Sequence, residues 1–166
     1  MKKNIIGFLC FLFIFSFLSS CRRDDNALHQ EDQQNGSMVR DFKGDFVSFQ
    51  YTGDWEIRED ENDKSLVLKI MGDQGMIVVL VKAERDRFNP AIDSANHFAQ
   101  IYEGTPAKQM NYGQNEYYGT SFFLSMPQTL MVTKSGDYRV LVTLQGEGHD
   151  QDERVIDLLN TLEFSL

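Results

Sequence analysis

The sequence predicts an α+β domain in which an antiparallel sheet is sandwiched by helices. Three observations lead there. Runs with two-residue periodicity recur between Asp45 and Gln145, separated by turns rich in Gly, Asp and Asn. Apolar residues at helical spacing are confined to two segments, one after Asn89 and one after Asp150. Strands that follow one another through short turns, with helices set aside, give a layered antiparallel architecture.

Asp45 to Tyr51 alternates, with Val47, Phe49 and Tyr51 on one face. Thr52-Gly53-Asp54 is a turn, after which Trp55-Glu56-Ile57 resumes extended chain, and Glu59 to Lys64 is an acidic turn. Ser65 to Met71 and Met76 to Ala83 are rich in Val, Ile and Leu, and Gly72-Asp73-Gln74-Gly75 between them reads as a hairpin loop. Ile77 to Val81 is apolar on both faces, which predicts a central strand covered on both sides. Asn89-Pro90 opens a helix, with Asn as cap and Pro at the first helical position. Ile92, Ala95, Phe98, Ala99 and Tyr102 form its stripe, and Gly104-Thr105-Pro106 ends it. Lys108 to Tyr112, Glu116 to Met126, Thr129 to Lys134 and Tyr138 to Gln145 read as antiparallel strands. In the second of these, Tyr118, Thr120, Phe122, Leu124 and Met126 share a face. Asp150 and Glu153 have capping-box spacing ahead of a final helix with the stripe Val155, Leu158, Leu159 and Leu162.

The N-terminus has a different grammar. Lys2 and Lys3 form a positive start, Ile5 to Leu18 is almost purely apolar, and Ser19 and Ser20 are small. This is the three-part pattern of a secretory signal. A membrane span needs roughly 20 apolar residues, and this run is shorter and ends in two serines. Leu18-Ser19-Ser20-Cys21 resembles the lipobox of bacterial lipoproteins at each position. The resemblance implies cleavage between Ser20 and Cys21 and a diacylglycerol on the Cys21 sulfur, usually with a third chain on the new amino group. Arg22 stands where retention in the inner membrane would want Asp, so the expected destination is the outer membrane. Arg22-Arg23-Asp24-Asp25 is similar to the surface-export signal of Bacteroidota lipoproteins, with Arg23 where Lys is usual. The periplasmic face and the cell surface both stay open. Residues 1–20 are thus expected to be a signal peptide, 21–40 a flexible tether with lipidated Cys21, and 41–166 the domain. The tether reading rests on its richness in Asp, Gln, Asn, Ser and Gly, which leaves little apolar surface to bury.

Composition narrows the function classes. Loss of Lys2 and Lys3 takes the formal charge from −9 to −11. Such an acidic chain repels phosphate backbones, so no nucleic-acid partner is expected. Cys10 leaves with the signal and Cys21 would be acylated, so the mature domain has neither disulfide nor thiolate metal site to draw on. Its stability must come from its core.

No motif for chemistry emerges. His29 falls in the tether, and His97 sits on the first helix and is expected to face solvent. His149-Asp150-Gln151-Asp152-Glu153 is the best ligand-like cluster, but it reads as a helix N-terminus with acids complementing the macrodipole. Glu59-Asp60-Glu61-Asn62-Asp63 is dense in oxygen ligands without the order of a calcium loop. Gly-x-Ser-x-Gly and phosphate-cradling glycine motifs do not occur. No catalytic, cofactor-binding or metal-binding residue and no cofactor is therefore assigned. Trp55, Tyr112, Tyr117, Tyr118, Phe122 and Phe123 remain as aromatics for either a core or a recognition surface.

The run Phe46-Val47-Ser48-Phe49-Gln50-Tyr51-Thr52-Gly53-Asp54-Trp55, the Tyr117-Tyr118 pair and the closing segment Val155 to Phe164 resemble the PsbP-like superfamily, which includes bacterial DcrB-like lipoproteins. Thr52 stands where its usual members have Pro. The resemblance covers roughly Asp45 to Leu166 and implies an antiparallel sheet between helices. It implies no reaction, because the members share a fold and not a chemistry. The expectation is a lipid-anchored, non-enzymatic module that binds an envelope protein or assists assembly. The alternative is a small-ligand-binding or hydrolytic lipoprotein with a dispersed site.

Overall fold

The computed structural model describes residues 38–53, 55–60, 64–72 and 75–166. They fall in one compact unit of the chain, Gly36–Leu166. The elements run β1 (Val39–Lys43), β2 (Val47–Thr52), β3 (Trp55–Asp60), β4 (Ser65–Gly72), β5 (Gly75–Arg85), α1 (Ala91–Ile101), β6 (Lys108–Tyr112), β7 (Asn115–Phe123), β8 (Pro127–Ser135), β9 (Tyr138–Gln145), α2 (Glu153–Thr161) and β10 (Glu163–Phe164).

Seven strands form an antiparallel sheet in the order β3-β4-β5-β9-β8-β7-β6. Hairpins explain most of that order. The exception is β9, which returns after α1 and three strands to pair with β5, with Val81 opposite Val142. A second sheet has the order β1-β2-β10. The main core lies between the large sheet and a layer made of β2 and α2. Leu66, Leu68, Ile70, Val79 and Val81 of β4 and β5 meet Phe49 of β2 and Val155, Leu158 and Leu159 of α2. On the opposite face of the large sheet, α1 packs on β7 and β8. Its buried residues are small (Ser94, Ala95 and Ala99), which lets the helix approach Leu130 and Val132 closely. The result is an antiparallel sheet with a helix on each face.

The expected stripe of α2 is buried at all four positions. Several local expectations are corrected. The helix α2 is capped by Asp152, whose carboxylate accepts from the Arg154 amide, and not by Asp150. At α1, Pro90 occupies the cap position without a side-chain bond, and Asn89 instead donates to the Asp86 carboxylate. Strand β7 stops at Phe123, because the chain bends through Leu124, Ser125 and Met126. Leu124 and Met126 therefore leave the face they were expected to share. Strand β5 is interior, yet only one of its faces is fully buried, since α1 does not reach over Val78 and Leu80, which are half-buried. Strand β1 pairs with β2 from Val39 onward, an element without a periodic signal of its own. The register Gly72 opposite Gly75 agrees with the expected hairpin, whose residues 73–74 lie outside those described.

Candidate functional site

Strand order brings distant segments to one end of the large sheet. Trp55 opposes Ile70, Ile70 opposes Ile77, Val78 opposes Gln145, Gln145 opposes Gln128, and Pro127 opposes Phe123. The β4–β5 hairpin, the β7–β8 hairpin and the loop after β9 therefore share one edge of the molecule. The end of α1 joins them, since Tyr102 stacks on Phe122 at 4.6 Å and the Thr105 amide donates to the Ser121 carbonyl.

This end gathers most of the exposed apolar side chains, with the exposed acids Glu103, Glu147 and Asp150 among them. Phe123 is 68% exposed, Leu124 53% and Met126 37%, all at the β7–β8 turn, with Met76 at 48% and Ile101 at 55% beside them. Of the aromatics singled out above, Phe123 alone protrudes. Tyr117 is buried in the core, and Trp55, Tyr112, Tyr118 and Phe122 are half-buried. Leu124, Met126, Met76 and Ile101 carried no signal in the sequence, because an apolar residue at a hairpin tip looks like any strand residue until the bend is known.

Just inside this rim, on the core side, lies a chain of polar groups. His149 is 4% exposed. Its Nδ1 lies 2.7 Å from the Gly146 carbonyl, which only accepts, so Nδ1 carries the proton. In the neutral ring Nε2 then accepts from the Thr129 hydroxyl at 2.9 Å, and Thr129 accepts from Ser121 at 3.1 Å. These bonds pin the loop after β9 onto β8 and β7, and they occupy both ring nitrogens. Thr129 stands between the serine and the imidazole. His149 thus departs from the exposed helix-start cluster it was placed in, while Asp150 remains exposed. His97 is exposed on α1, its ring 6.3 Å from that of Phe98. No group of three or more His, Cys, Asp or Glu is placed to hold a metal ion among the described residues. Of the acidic run, Glu59 accepts weakly from the Asp45 amide, and residues 61–63 lie outside those described. Ser20, Cys21 and His29 also lie outside them.

Charge collects at the other end of the sheet. The Arg139 guanidinium bonds Glu84 at 2.5 Å and reaches Asp86 at 3.3 Å, with the Phe98 ring 5.8 Å away. Lys134 donates to the Asp86 carbonyl, and Arg87 pairs with Asp137 at 2.8 Å. Hydrogen bonding from Arg139 holds the Glu84 carboxyl below its ordinary value. The Asn89 amide does the same for Asp86. In the core, burial pushes the Tyr117 phenol upward.

The chain matches no family model, and no curated protein matches it. Among solved structures, it is similar to cyanobacterial PsbP (CyanoP) from Synechocystis sp. PCC 6803. The TM-score is 0.54 at 10% identity, over 83% of this chain and 99% of that one. A crystal structure from Bacteroides thetaiotaomicron VPI-5482 aligns with a TM-score of 0.49 at 18% identity, over 72% of this chain; the chain spans 45% of that protein's length. At these identities the likeness concerns the fold, which is PsbP-like α+β.

Proposed function

We propose that this protein is a bacterial envelope lipoprotein, held at the outer membrane through diacylglyceryl-modified Cys21, that works by contact and not by catalysis, as an accessory module for an envelope protein. The observation that supports a contact role, with the bilayer that carries the protein or with a partner in it, is the rim of exposed apolar side chains. Exposed hydrocarbon gathered at one end of an otherwise acidic, soluble surface marks an interaction site. The lipobox-like tetrapeptide supports the anchor. The alternative, a hydrolytic role, would draw on Ser121, Thr129 and His149. A serine nucleophile needs its base within direct hydrogen-bond reach, and here a threonine hydroxyl intervenes.

Cys21→Ser is expected to abolish acylation and release the protein from the membrane fraction. Unchanged fractionation, with no acyl mass on the wild-type N-terminal peptide, would overturn the anchor. For the contact role, a photoreactive residue replacing Phe123 in intact cells should give covalent adducts, whereas one replacing Phe88 should not. Equal labelling at both sites would remove the support. Ester turnover by the wild type that is lost in Ser121→Ala would favour hydrolysis instead.

A further inference from the structure

The end of the molecule that carries the apolar rim is also the end where the N-terminal segment enters the fold. Val39 pairs with Thr52 at the start of β1. Thr52 lies just before the turn at Gly53, where φ is +84°, and Trp55 then opens β3 on the rim side of the large sheet. The ring contact between Tyr51 and Trp55, 6.2 Å between centroids, ties the two sheets together there. Met38 and Val39, 75% and 57% exposed, thus stand at one limit of the same edge. Within the large sheet Phe123 lies five strand spacings from Trp55, about 24 Å. Phe88, 90% exposed, is the one large apolar side chain among the exposed set that lies at the charged end.

We infer that this rim is a membrane-contacting surface, which seats the domain on the bilayer with its charged end turned away. The inference rests on the lipid-anchor reading for its geometry. From Cys21 to Met38 is 17 residues, which span at most roughly 60 Å when fully extended. An anchor at Cys21 makes every encounter of the rim with the same membrane intramolecular, at an effective concentration that reaches the millimolar range for short linkers. Weak contacts suffice under those conditions. The chemistry of the rim fits a hydrocarbon boundary better than a charged headgroup. Phe123, Leu124 and Met126 sit on a protruding hairpin tip, and Tyr102 beside them has the amphipathic ring that favours the interface. The ion pairs of Arg87 and Arg139 lie at the far end, and the net acidity of the chain gives anionic lipid no purchase.

The test uses the acylated full-length mature protein in uncharged phosphatidylcholine vesicles. Single cysteines at Phe123→Cys, Leu124→Cys and Phe88→Cys carry an environment-sensitive fluorophore, since the mature chain has no thiol apart from Cys21. All three positions are exposed, so the substitutions leave the fold intact. Labels at 123 and 124 are expected to shift their emission to shorter wavelength and to be quenched by bilayer-borne quenchers, while the label at 88 does neither. Labels at 123 and 124 that stay as wet as the one at 88 overturn the inference. So does a shift at 123 that appears only when envelope protein is added, which would make the rim a protein-binding surface. The anchor is read separately, from the acyl mass on Cys21 and from flotation of the protein with the vesicles. Acylated, floating protein with wet rim labels defeats the seating alone. Absence of the acyl group defeats the reading on which it rests.

Discussion

His149 is the residue whose meaning changed most. In the sequence it heads an acidic run and looks like a helix start. In the fold it is buried, with one ring nitrogen bonded to Gly146 in its own loop and the other to Thr129 on β8. Replacing it by Ala would deprive the Gly146 carbonyl of its imidazole donor, leave the Thr129 hydroxyl with Ser121 alone and open a cavity. We expect a loss of about 3 kcal/mol, read from the urea midpoint. Thr129→Val removes the hydroxyl's bonds to both His149 and Ser121 but keeps the volume, and with no cavity opened it should lose less. Equal stability of wild type and His149→Ala would show that the polar chain is not what pins the loop. Gly113 is a second such residue. Its φ is +56°, and a Cβ there would run into the Asn160 carbonyl of α2. Gly113→Ala is expected to destabilise by about 2 kcal/mol, since the left-handed backbone is strained for Ala even before the clash. A thermal midpoint that does not fall would contradict this. Neither effect was legible in the sequence, because both partners lie many residues away, Thr129 on β8 and Asn160 on α2.

Local patterns served well for the elements and poorly for their ends. Alternation located β2, because a half-buried strand must place every second side chain in the core, and richness in Val, Ile and Leu located β4 and β5. The same logic failed past Phe123, where Leu124 and Met126 keep the alternation although the chain bends. Caps also depended on context. Asp152 lies closer to the helix than Asp150 and takes the cap, with its carboxyl lowered chiefly by the side-chain bond to Arg154. Asp152→Ala should cost about 1 kcal/mol, measurable by chemical denaturation. Three hydrogen-bonded carboxyls, two at the charged end and one at the cap of α2, predict an acid response. Glu84, Asp86 and Asp152 are each held below their ordinary values of 4.5, 3.8 and 3.8. In the unfolded chain these groups take up protons first as pH falls. Their contribution to stability is therefore complete above those values and is lost as pH drops through the lowered ones. The thermal midpoint should decline from about pH 4.5 downward, and Arg139→Gln should flatten that decline by removing the partner of Glu84. A midpoint that is flat down to about pH 3 would exclude this linkage.

On the scale of the whole molecule the two ends differ in degree: exposed apolar side chains concentrate at one, beside a few acids, ion pairs concentrate at the other, and β1 begins at the first. That polarity generates the vesicle-labelling test described above and the expectation that Cys21→Ser releases the domain. The sequence by itself determined the α+β class, the two helical stripes, the absence of thiols from residue 22 onward and the lipobox-like tetrapeptide. Each is a local property, written in spacing or in a few adjacent residues. Tertiary structure alone decided that Met76, Tyr102 and Phe123 share an edge, that β9 returns to β5, and that His149 closes on Thr129. The physical reason is that strand order and register join residues by hydrogen bonds across large sequence separations. A rim assembled from hairpin tips and a helix end has no period of its own to betray it.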